Sequence, residues 1–255
     1  MRFDKLELPE EQPEPPRKPT VRPADQDEHY WLNQADDHRR AGGYEDALRF
    51  YSRALEVEKS LVVAWVGQVQ MLVQLGEYPQ AELWSRKALE FFPNQPELLA
   101  GRAQAVCRLG DLKQAHALSD GAMQQRGDSS YCWSVRGEIM VAGKQKTDRS
   151  CFDHAQLVSS DWLVPLEIAL IYLHYRIPSK ALQRAQIAVQ QAAASFYAWF
   201  ILGQCQQELG FIEPARTSYS RCLELSPRHY EAGVRISELG RGSWTATARR
   251  WFRLS

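Results

Sequence analysis

From Glu28 onward, apolar residues return at three- and four-residue spacing between short turns, and no stretch alternates apolar and polar positions long enough to make a strand. The pattern predicts an all-helical body. It also repeats: LGEYPQAELWSRKALEFFP at 75–93 has near copies in AGGYEDALRFYSRALEVE at 41–58, LGDLKQAHALSDGAMQQRG at 109–127 and LGFIEPARTSYSRCLELSP at 209–227.

Aligning the copies gives the period. Ala54, Ala88, Ala122, Ala155, Ala188 and Cys222 follow one another at 34, 34, 33, 33 and 34 residues, so there are six copies. An earlier small slot holds Ala47, Ala81, Ala115, Asp148, Ala181 and Ala215. A turn glycine reads as Gly42, Gly76, Gly110, Gly143 and Gly210, and only the fifth copy, with Arg176, lacks it. Upstream lie the bulky Trp31, Trp65, Leu99, Trp133, Pro165 and Trp199, each followed by a smaller residue: Ala35, Val69, Ala103, Ala169 and Gly203. In the fourth copy Arg136 and Gly137 both fit that slot.

Each copy therefore reads as two amphipathic helices around a tight turn. Small residues let the two helices cross closely, and the bulky residue fills the space between one pair and the next. Pro93 and Pro227 end second helices, because proline lacks the amide donor and clashes with the preceding turn. A pair cannot bury its apolar stripe alone, so neighbours must stack.

The W-x-x-L-G-x-x-Y … A-x-x-x-F … P pattern is clearest in Trp199, Leu202, Gly203, Gly210, Ala215, Tyr219, Cys222 and Pro227, and it resembles the tetratricopeptide repeat. The resemblance covers about 28–229. It implies an all-α solenoid of about six stacked helix-turn-helix repeats, at about 28–61, 62–95, 96–129, 130–161, 162–195 and 196–229. Residues 230–255 would supply C-terminal capping helices. Copies four and five depart from the pattern: each period is one residue short, Asp148 stands in a small apolar slot, and Pro165 takes the tryptophan position.

In this family the residue after the tryptophan slot, and those about a turn to either side, line a concave groove. The implied lining is Val63, Val66 and Gln70 in the second copy, Leu163, Leu166, Leu170 and Leu173 in the fifth, and Tyr197, Phe200 and Gln204 in the sixth. That surface suits an apolar peptide or amphipathic helix held by a few anchors. A one-residue slip of the fifth copy would instead make its leucines packing residues, and an end helix would then cover Tyr197 and Phe200.

Arg39, Arg40 and Arg108 near the groove edge, with Arg249 and Arg250 at the C-terminus, are candidate contacts for an acidic partner. The family's clamp for the carboxylate tail of heat-shock chaperones uses Lys and Asn, then Asn, then Lys and Arg. Here those slots hold Leu32 and Asp36, then Gly67, then Glu97 and Gly101, so the donors are missing and the acids would repel. This argues against such a partner.

Residues 1–27 carry six of the thirteen prolines among mixed charges, a composition that predicts a disordered tail. Within it, PEPPRKP at 13–19 resembles an SH3 ligand. At the other end, SWTATARRWFRLS at 243–255 reads as a basic amphipathic helix capped by Ser243.

Charge and candidate chemistry narrow the function. Lysine plus arginine equals aspartate plus glutamate at 31 each, so no net field favours nucleic acid. Five cysteines without a C-x-x-C pair, and no leader-like N-terminus, point to a cytoplasmic protein. The most apolar segment, 162–173, is too short to span a bilayer and contains Glu167, which leaves only peripheral membrane contact.

Six scattered histidines and the absence of phosphate-loop or nucleophile-elbow motifs argue for no catalytic, cofactor or metal site and no small-molecule substrate. The expected function is a non-enzymatic scaffold or adaptor, in complex assembly or as a chaperone, that binds a partner peptide or helix. The alternative is a membrane-surface or nucleic-acid-associated factor anchored by the basic Arg/Trp end helix.

Overall fold

Six helical hairpins and one long end helix account for the computed structural model, which describes residues 27–251, with side chains through residue 240. In chain order the hairpins are α1 (Glu28–Arg40) with α2 (Tyr44–Val57), α3 (Val62–Gln74) with α4 (Tyr78–Phe91), and α5 (Pro96–Arg108) with α6 (Leu112–Gln124). Then follow α7 (Ser130–Ala142) with α8 (Asp148–Val158), α9 (Leu163–His174) with α10 (Pro178–Gln191), and α11 (Phe196–Glu208) with α12 (Ile212–Leu225). The end helix is α13 (Tyr230–Trp251). No strand occurs among the described residues.

Local chemistry starts these helices. Asp27, Asp111, Ser129 and Ser195 accept a backbone N–H three residues on, satisfying donors that a first turn leaves orphaned. Pro96 and Pro178 sit at helix starts, where the missing N–H costs nothing.

The small slots lie where the helices of a pair cross. Ala47, Ala54, Ala81, Ala88, Ala115, Ala155, Ala181, Ala188, Ala215 and Cys222 have no exposed surface. The tryptophans fill the joints and tie their indoles to the preceding connection: Trp65 Nε1 donates to the Lys59 carbonyl and Trp199 Nε1 to the Ala193 carbonyl, both at 2.9 Å. First helices also pack on one another, from α3 through α11, so the stack has a continuous inner layer.

The fourth copy decides between the two open slots and overturns one sequence reading, its turn glycine. Its small slot is Gly137, which faces the Phe152 ring so closely that a Cβ would meet it at 2.5 Å, whereas Arg136 turns outward to Asp120. Its turn position is Lys144, not Gly143. Gly42, Gly76, Gly110 and Gly210 have φ of 76–96°, and at the equivalent points the chain places Lys144 (φ 55°) and Arg176 (φ 59°), while Gly143 has φ of −78°. One residue is therefore missing from the α7–α8 turn and one from the α8–α9 connection.

The first deletion shortens a helix. In the other copies the slot of Asp148 is the fourth residue of the second helix, but α8 begins at Asp148 itself and runs 11 residues where α2 runs 14. Asp148 is buried, and its carboxylate accepts the Tyr172 hydroxyl at 2.7 Å and Lys180 Nζ at 2.6 Å.

At the C-terminus, Ala232 and Leu239 of α13 are buried against the sixth copy. Ser243 was expected to cap a separate helix; it lies inside the unbroken α13 instead. Within this helix the side chains of Arg249 and Arg250 fall outside the described residues, as does the PEPPRKP segment.

Candidate functional site

The inner layer curls until its start meets its end. Arg39, on the last turn of α1, donates to Glu167 of α9 from Nε at 3.0 Å and from Nη2 at 2.5 Å. Burial works against the Arg39 charge, and the Glu167 carboxylate more than restores it. Next to it Arg40 holds Asp161 with both terminal nitrogens, at 3.0 and 2.5 Å, while its Nε reaches Asp36 at 2.6 Å. The Arg40 hydrogen bond keeps the Asp161 carboxyl below its ordinary range.

Between these ion pairs and the sixth copy, the hydroxyls of Tyr44 and Tyr197 share a hydrogen bond of 2.8 Å. The Tyr197 ring covers Gly42 so closely that a Cβ there would meet it at 2.4 Å. Burial raises the Tyr44 hydroxyl well above its ordinary value and pushes Tyr197 up to about 12.

Deeper in, the second and third copies meet the fifth. Arg108 stands over the rings of Tyr78 and Tyr175, 5.9 and 5.6 Å from their centroids, and Tyr78 packs edge-on against His174. Arg108 also binds Glu138, which has no exposed surface and accepts Gln104 Nε2 at 2.7 Å and the Tyr175 hydroxyl at 3.2 Å. Burial, reinforced by Arg108, keeps His174 below its usual value. This network is saturated and holds the layer together.

Most of the expected groove lining is consequently not an open surface. Leu163, Leu166, Tyr197 and Phe200 are buried in the largest core cluster, with Leu166 fully enclosed, and Leu170, Leu173 and Gln204 are half-buried. The physical reason is curvature. Tyr44 and Gly42 of the first copy cover Tyr197, and His229 lies 4.6 Å from Phe200, ring to ring. The arginines correct in the same way, since Arg39, Arg40 and Arg108 are engaged within the chain by Glu167, Asp161 and Glu138.

An opening remains over the first three copies. A cavity of about 380 Å³ is lined by Val62, Val63, Val66, Gln70, Tyr51, Gln95, Glu97 and the edge of Arg39. Val63 is 68% exposed, and Glu97 is held at the rim by Gln95 Nε2 at 2.6 Å. Three residues read from the sequence, Val63, Val66 and Gln70, thus come together here. Tyr51 and Gln95 complete the cavity without having been assigned to a groove, and Glu97 and Gly67 enter it from the slots of the carboxylate clamp. Tyr51 reaches it only because Gly67, on the neighbouring helix, leaves room for its ring.

A curled succession of helix hairpins with small residues at nearly all of its crossings defines an α-solenoid. The tetratricopeptide-repeat family matches residues 196–229, the sixth copy. Among solved structures, the fold is similar to that of TTC0263 from Thermus thermophilus (16% identity, TM-score 0.50, covering 83% of this chain and 98% of that one). It is also similar to a chain of the APC/C hetero-tetramer Cut9-Hcn1 (14% identity, TM-score 0.51), of which this chain covers 43% while 84% of its own length is matched. Human IFIT1, solved with m7Gppp-AAAA, is similar over 84% of this chain and 55% of its own (19% identity, TM-score 0.50). Among curated proteins none matches in sequence. The chain thus carries a tetratricopeptide repeat at residues 196–229 within a solenoid of similar helix hairpins.

Proposed function

We propose that the protein is a non-enzymatic interaction scaffold that holds a short extended segment of a partner protein at the mouth formed by its first three copies. The observation that carries this is the exposed Val63 at the entrance of a cavity with an apolar floor and a rim of Gln95 and Glu97. An apolar side chain would enter between Val62, Val63 and Val66, and a basic neighbour would meet Glu97. A chain of similar fold was solved within the hetero-tetramer Cut9-Hcn1, which fits a role in complex assembly, as adaptor or chaperone. Cytoplasmic placement fits five buried cysteines that are all free thiols.

The test is capture from cell extract by wild type and by a Val63→Asp, Val66→Asp variant whose circular dichroism matches wild type. A partner retained by the first and lost by the second supports the mouth as the binding surface; equal capture overturns it. Substitution at Leu166 or Phe200 would unfold the stack rather than probe the groove.

A second reading anchors the protein through the basic end helix, since α13 continues without a break past Arg249 and Arg250. Binding to acidic vesicles or polynucleotide that falls with salt and vanishes on deleting 241–255 would favour it.

A further inference from the structure

We propose that the opening between the α7–α8 turn, α8 and α10 is a binding site for a compact phosphate-bearing anion carrying two or more phosphates. The opening measures about 670 Å³, within the roughly 300–1,000 Å³ that small-molecule sites occupy. Its origin is the fourth-copy deletion. Because α8 starts at the slot where other second helices are already four residues long, almost a full turn of helix is missing from this joint. The other second helices pack broadly on the next first helix, while α8 barely touches α9.

The chain fills this gap with charge. Lys144, Lys146, Arg149, Lys180 and Arg184 line it against only Asp148 and Asp153. Both carboxylates are already matched, Asp148 by Lys180 and the Tyr172 hydroxyl, Asp153 by Arg184 at 2.6 Å and Arg149 at 3.5 Å. Arg184 is fixed by a second bond to Gln156, and its side chain is only 11% exposed. Lys144 and Lys146 have no acidic partner among the described residues, so their positive charge is uncompensated.

Three further features favour an anion. Val141, Ile177 and Ile187 form an apolar wall, which weakens screening inside the opening. The first turn of α8, with Thr147 making no side-chain cap bond, lies along its edge and adds partial positive charge. Lys144 itself occupies a left-handed backbone position where four other copies use glycine, so this lysine stands at the rim against a conformational cost. A monoanion would leave most of this charge unmatched, whereas a di- or oligophosphate supplies several negative oxygens in a compact volume.

The experiment is isothermal titration of the full chain with inorganic pyrophosphate at about 0.15 M salt, where only close charges act strongly. Saturable binding at one site that weakens with added salt is expected. The decisive variant is Lys144→Gly, which relieves the backbone and should raise the melting temperature while weakening pyrophosphate about five- to tenfold, the scale of one charge-assisted contact. Adding Lys146→Gln should abolish binding, and Lys113→Gln on exposed α6 surface should leave it unchanged. Failure of wild type to bind saturably, or undiminished binding by the Lys144→Gly, Lys146→Gln protein, would overturn the proposal.

Discussion

Arg39 and Glu167 lie 128 residues apart in the chain, yet two guanidinium nitrogens of Arg39 converge on one oxygen of Glu167. This contact, with Arg40 on Asp161 and Tyr44 on Tyr197, latches the first copy onto the α8–α9 connection and the fifth and sixth copies and turns a curved stack into a nearly closed one. The consequences are testable.

Glu167→Ala leaves Arg39 without its carboxylate in a mostly enclosed site. Removing one partner of a fully buried pair costs about 3–5 kcal/mol, and partial exposure lowers this to roughly 2–3 kcal/mol here. The expected result is a lower urea midpoint with a larger radius of gyration by X-ray scattering. Arg39→Met with Glu167→Met should cost less than either single change.

Lys144→Gly and Arg176→Gly each remove a side chain from a left-handed turn position. Each should stabilise the protein by about 0.5–1 kcal/mol, read from chemical denaturation. The reverse change, Gly76→Ala, has open space around the new methyl and should destabilise by about 1 kcal/mol through backbone strain alone.

Ala88→Leu and Ala215→Leu insert three carbons where helices of one pair cross with no exposed surface. Overpacking should cost about 1–3 kcal/mol. A variant that melts with wild type would contradict the slot assignment.

Alkaline pH should loosen the fold. Burial pushes Cys107, Cys132 and Cys222 up to about 11 and Cys205 up to about 12, and it raises the Tyr44 hydroxyl as well. Folding thus favours the protonated forms. The associated stability is fully present below the unfolded cysteine value of about 8.5 and is lost as pH rises through the folded values. A melting temperature that declines steadily above that point is expected, and a flat profile up to pH of about 11 would refute it.

The helices, their pairing and the small crossings were legible because each is written locally. Periodicity at three and four residues marks a helix, Ala88 and its equivalents mark a close approach, and glycine at Gly76 or Gly110 marks a turn that needs positive φ. In the fourth copy the local signal is ambiguous, because Gly143 sits beside the turn position Lys144 and only the backbone angle distinguishes the two.

Of the expected groove, Val63, Val66 and Gln70 line one cavity, since they share one face of one helix. Leu166 and Phe200 follow the same spacing rule and are buried, because what covers a residue depends on chain far away in sequence.

By itself, then, the sequence determined the repeat, the all-helical class and the residues at each crossing, since all of these follow from interactions within about forty residues of chain. The tertiary structure decided how far the stack curls. That depends on small rotations accumulated from pair to pair, which bring Arg39 to Glu167 and Tyr44 to Tyr197, close most of the inner face and leave open the mouth at Val63. It also decided what the short α8 leaves behind, because a missing turn becomes an opening only when the neighbouring helices keep their places.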